Sequence, residues 1–100
     1  MPAAYPTEFH REQGFTERDW VRCLPGAVRD CPVDLAQPGV ARVQIGRGRL
    51  TLRWQTLPPR SIALMRMPRL AIHYRFDDVD DAERAAFMHY FDLYTLRGGG

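Results

Sequence analysis

Arginine carries all the fixed positive charge of this chain: 14 arginines, no lysine. A GC-rich bacterial coding bias explains the missing lysines but not the placement of the arginines. Arg42, Arg47, Arg49, Arg53, Arg60, Arg66, Arg69 and Arg75 stand between Leu35 and Phe76 with no aspartate or glutamate among them. That segment is +8, while the residues before it sum to −2, those after it to −4, and the whole chain to +2. Guanidinium is planar, permanently charged and suited to bidentate contact with carboxylate or phosphate. Arg42, Arg47, Arg49, Arg53, Arg69 and Arg75 are therefore candidates for binding an anion or an acidic partner.

The other reactive side chains form no recognisable set. Cys23, Cys31, His10, His73 and His89 lack the spacing of a zinc module. Two cysteines are too few for a disulfide framework, so both are read as reduced thiols. Ser61 is the only serine and sits in no nucleophile motif. The acidic run Asp77–Glu83 lacks the ligand spacing and the glycine of a calcium loop. Gly46-Arg47-Gly48-Arg49 offers backbone N–H groups to an anion without the spacing of a phosphate-binding loop. No catalytic residue, metal site or cofactor is expected.

These residues must be positioned by a small α+β domain. Residues 1–14 have no period and read as a mobile arm; residues 15–100 read as one domain. Thr16 with Asp19 forms a capping box and Phe15 with Trp20 a hydrophobic staple. Helix 1 then runs to about Leu24, where Pro25-Gly26 should end it. Period-two alternation over about 40–45 and 49–56 predicts a hairpin. An Arg47-Gly48 loop would pair Ile45 with Leu50 and Ala41 with Trp54, setting Arg42 opposite Arg53. Leu57–Ser61 reads as a turn. Strand pieces over about 62–67 and 69–76 follow, broken at Pro68, giving an antiparallel sheet of three to four strands. Asp80 and Glu83 cap a C-terminal helix over about 80–96, whose Phe87, Tyr90, Phe91 and Tyr94 recur at helical spacing.

If Ile62 and Leu64 face the core, then Ala63, Met65 and Met67 face outward as an apolar stripe. Met65 and Met67 are the interface candidates, since methionine adapts to irregular contacts. Cys23-Leu24-Pro25-Gly26-Ala27 is similar to a pentapeptide of some helix-grip ligand-binding proteins. That resemblance covers five residues and implies an apolar pocket between sheet and C-terminal helix.

Three functions follow. The first is a non-enzymatic interaction or accessory module, homodimeric through the Met65/Met67 stripe. The second is anion or nucleic-acid binding on the arginine-bearing sheet face, disfavoured for RNA by the lack of stacking aromatics there. The third is an apolar ligand site or catalytic pocket under the C-terminal helix. No signal peptide and no apolar run of membrane-spanning length is visible, so the expected compartment is the cytoplasm, with no membrane partner.

Overall fold

The computed structural model describes residues 5–98. Five antiparallel strands form one sheet in the order β1-β5-β4-β3-β2: β1 Glu8–Gln13, β2 Val33–Asp34, β3 Val40–Ile45, β4 Gly48–Ile62 and β5 Met65–Asp77. Two helices, α1 Glu17–Ala27 and α2 Asp81–Gly98, complete the chain. Three to four strands was an undercount. The mobile arm expected over 1–14 is replaced at residues 8–13 by edge strand β1, paired with β5 from Glu8↔Arg75 to Gln13↔Leu70. Its alternation was present but mixed: Phe9, Arg11 and Gln13 turn inward, Glu8, His10 and Glu12 outward. An arginine and a glutamine on the inner side hid the period. Met1–Ala4 lie outside the described residues.

Alternation puts Ala41, Val43, Ile45, Leu50, Leu52, Leu70, Ile72, Tyr74 and Phe76 on one buried face. Both helices pack there. Trp20 of α1 meets Trp54 and Phe91 edge-on, and Phe91 of α2 meets Tyr74. The opposite face has no covering layer among the described residues.

Both caps form as the sequence indicates. The Thr16 hydroxyl accepts from the Asp19 amide at 3.1 Å, and Asp80 Oδ1 from the Glu83 amide at 2.8 Å. Phe15 and Trp20 close the staple at 5.6 Å between ring centroids. Helix α1, however, passes through Pro25 and Gly26 to Ala27. Proline there forfeits one backbone bond, but Ala27 and Val28 are buried, and burial holds the last turn in place. Gly26 serves packing rather than termination: a Cβ on it would lie 2.1 Å from the Tyr94 hydroxyl of α2.

The β3–β4 hairpin keeps the expected face but shifts by two residues. Its loop is Gly46-Arg47, with Val43 opposite Leu50 and Ala41 opposite Leu52. Gly46 takes φ +56° at the first loop position, where a II′-type hairpin loop needs a positive φ. Arg42 consequently faces Thr51, and Arg53 faces Val40.

Pro58-Pro59 is not a turn. β4 runs through it to Ile62, with a bulge between Leu57 and Arg60, and the chain reverses at Ala63-Leu64. Pro68 breaks nothing; β5 is continuous from Met65 to Asp77. The prolines are tolerated because β4 and β5 have no lateral neighbours there. Pairing of β3 with β4 stops at Val40↔Arg53, and pairing of β1 with β5 stops at Gln13↔Leu70, so each proline lies on an edge or at the bulge. The two strands project as a two-stranded arm. From Leu57 to its tip it reaches about 20 Å, at roughly 3.3 Å per residue. The longest axis of the molecule is 46 Å against a thickness of 21 Å.

Candidate functional site

The uncovered sheet face carries two features, a cluster of arginines at its centre and an apolar patch on the arm.

Thr51 marks the centre of the cluster. Arg42 of β3 and Arg75 of β5 are its direct cross-strand partners, while Arg49 and Arg53 lie two positions away along β4 on the same face. Four guanidinium side chains thus surround one threonine and, with Asp77, line a shallow basin of about 490 Å³. Thr51 is only 8% exposed on a face that nothing else covers; the arginine stems shield it. The cross-strand row through Thr51 reads Asp34, Arg42, Thr51, Arg75, Glu8.

The carboxylates around the cluster are mostly engaged elsewhere. Asp34 Oδ1 accepts from the Ala36 amide at 2.8 Å. Glu8 Oε2 is hydrogen-bonded to His73 Nε2 at 2.6 Å. Asp77 reaches Arg75 at 3.5 Å. Arg42 donates to the Gln37 side-chain carbonyl at 3.1 Å. Among the described residues, no carboxylate pairs with Arg42, Arg49 or Arg53.

Two of the six candidate arginines lie elsewhere. Arg69 donates twice to the Glu12 carboxylate, at 2.8 and 3.0 Å, and once to the Pro58 carbonyl. Those bonds hold the Glu12 carboxyl below its ordinary pKa. Arg47 belongs to the hairpin tip, where it lines a cleft with Asp78, Asp80 and Glu83. The expected Arg42–Arg53 opposition does not occur; the two-residue shift puts both around Thr51 instead.

On the arm, residues directly opposite share a face. Ile62 faces Met65 and Arg60 faces Met67, on the same side as Arg69 and the arginine cluster. Ile62 is 53% exposed, Leu64 101%, Met65 65% and Met67 44%. Met65 and Met67 are outward as expected. Ile62 and Leu64 do not face the core as expected, because the core ends at Leu70 and the strands run on. The bulge is what turns Ile62. One extra residue on β4 inverts the alternation beyond it, so Ile62 joins Met65 and Met67 instead of falling on the opposite face.

The pocket expected under α2 is a solvent-open groove of about 430 Å³, bordered by Val28, Cys31, Ile45, Phe87 and Tyr90. Burial raises the pKa of both Cys23 and Cys31, with Asp30 adding to the effect at Cys31. Neither is an activated nucleophile. Among the described residues, no three His, Cys, Asp or Glu side chains gather to hold a metal, and no helix is long and apolar enough to cross a membrane.

Thr51, Asp77, Ile62 and Leu64 were not among the candidates. The uninterrupted Ile62-Ala63-Leu64-Met65 run was the available signal for the arm, but an apolar run reads equally as core. No protein-family model matches the chain, and no curated protein matches it either.

Proposed function

We propose that this protein is a non-enzymatic interaction module that forms a homodimer through the β4–β5 arm. The observation that carries the reading is the patch of Ile62, Leu64, Met65 and Met67, exposed together on a projecting two-stranded element. Isolated exposed apolar residues are ordinary; a contiguous cluster on a protrusion signals a contact surface. A second copy is the occupant that fits best. The patch is apolar throughout, so its own copy related by a two-fold axis is complementary to it. Arg60 and Arg66 flank it on long stems that can remain in water at the rim, and Arg69, beyond Met67 on the same side, is held by Glu12.

The magnitudes point to a modest dimer. Eight side chains gaining roughly 1–1.5 kcal/mol each would contribute roughly 10 kcal/mol, against an association cost of roughly 4–15 kcal/mol. That range includes micromolar dissociation constants. The cytoplasm is the proposed compartment, where the free thiols Cys23 and Cys31 stay reduced.

Methionine-methyl NMR across a dilution series tests the reading. The Met65 and Met67 methyl signals should shift with concentration. Met88 is fully buried and should not move. Concentration-independent Met65 and Met67 signals up to millimolar protein would overturn the homodimer.

A further inference from the structure

We infer that the basin around Thr51 is a binding site for a small, multiply charged phosphate compound, a condensed phosphate or a phosphate ester. The site is distinct from the arm and does not depend on it.

The argument begins with the concentration of like charge. Arg42, Arg49, Arg53 and Arg75 come from three adjacent strands and converge on one residue. Like charges on neighbouring positions of one sheet face repel. Among the described residues, only Asp77 offsets them at ion-pair distance, and it reaches Arg75 alone. Asp34 and Glu8, opposite Arg42 and Arg75 in register, are bound to a backbone amide and to His73, and Asp77, opposite Arg49, turns to Arg75 instead. The fold thus assembles four guanidiniums at one place and leaves three without a carboxylate. An oxyanion in the basin would take charge-assisted, fork-shaped hydrogen bonds from several of them at once.

The shape of the positive region selects the class of ligand. Along the cross-strand row it is closed at both ends by Asp34 and Glu8, and along β4 it gives way after Arg53 to Gln55 and Leu57. A nucleic-acid backbone needs a continuing track of positive charge, whereas this is a single spot. Nucleotide bases would also need a stacking surface. Among the described residues, the only rings on this face are His10 and His73, which pack on one another at 4.5 Å. A volume of about 490 Å³ is within the range of small-ligand sites. Several negative charges on a compact body match four arginines better than one charge does.

Calorimetric titration of the whole chain with sodium triphosphate and pyrophosphate at low salt tests this, beside a single-stranded oligonucleotide. Saturable one-to-one binding of triphosphate, weakened by added salt, is the expected result. Arg53→Gln, an exposed side chain with no carboxylate partner, should weaken binding about tenfold, the order expected for one charge-assisted contact. The Arg42→Gln/Arg53→Gln pair should abolish measurable binding. Both variants should melt at or above the wild-type temperature without ligand, because a repulsion has been removed, and triphosphate should raise the melting temperature of the wild type most, that of Arg53→Gln less and that of the double variant not at all. Absence of triphosphate binding at low salt would overturn the site, as would equal binding by wild type and Arg53→Gln. Oligonucleotide binding that strengthens with length and is not displaced by triphosphate would overturn it in favour of a nucleic-acid track.

Discussion

Gly48 shows what one missing Cβ controls. It opens β4 beside the carbonyls that lead into α2, and a Cβ there would fall 2.2 Å from the Asp78 oxygen and 2.4 Å from that of Asp77. Backbone cannot swing aside as a side chain can. Gly48→Ala should therefore cost about 1–3 kcal/mol, the range of a forced overpacking, read as a lower urea midpoint. The sequence marks Gly48 only as a turn glycine; its role as a close-approach point depends on a segment 30 residues further on. Glu12 gives the pH counterpart. Its carboxyl is held below its ordinary value by hydrogen bonds from Arg69. Its contribution is present above the unfolded carboxyl pKa and is lost as the pH falls through the lowered folded value. An NMR titration should show the Glu12 carboxyl returning toward its ordinary pKa in Arg69→Gln. An unchanged titration would remove Arg69 as the cause.

At the scale of elements, the arm is where local signals and tertiary outcome part. The helix caps, the staple and the β3–β4 alternation were readable because each depends on neighbours within a few residues; the packing face of α2 was only partly so, since Phe91 is buried beside Met88, Arg84 and Thr95 while Tyr94 stays 37% exposed. The reversal at Ala63-Leu64 was not, because turn chemistry advertised Pro58-Pro59 instead. Prolines forbid a pairing only where a neighbour needs the missing N–H, and beyond Leu70 each arm strand has only the other beside it, leaving its outer edge unpaired. Likewise Glu8–Gln13 becomes a strand because β5 has a free edge to offer it, with Arg11 held by Asp92 at 2.6 Å across to α2. The true turn carries a cost: Ala63 sits at φ +54°, a region that disfavours a residue with a Cβ by roughly 1 kcal/mol. Ala63→Gly should relieve it and slow amide hydrogen exchange at the tip of the arm. Faster exchange in that variant would show the strain argument to be wrong.

For the whole molecule, the arrangement is a two-layer slab with helices on one side, an open cationic face on the other and an apolar arm extending from one end. The candidate arginines were legible as a group from their acid-free segment, though not their ring around Thr51, which follows from a register set two residues away from the expected one. The arm's patch was half legible: Met65 and Met67 by alternation, Ile62 and Leu64 only once the extent of the core is known. The central claim is that this arm joins two copies, and sedimentation equilibrium of the wild type beside Met65→Glu tests it most directly. The account predicts a concentration-dependent monomer–dimer equilibrium for the wild type and a monomer for the variant, with unchanged circular dichroism. A wild type that stays monomeric at high concentration, or a variant that dimerises equally well, would contradict it.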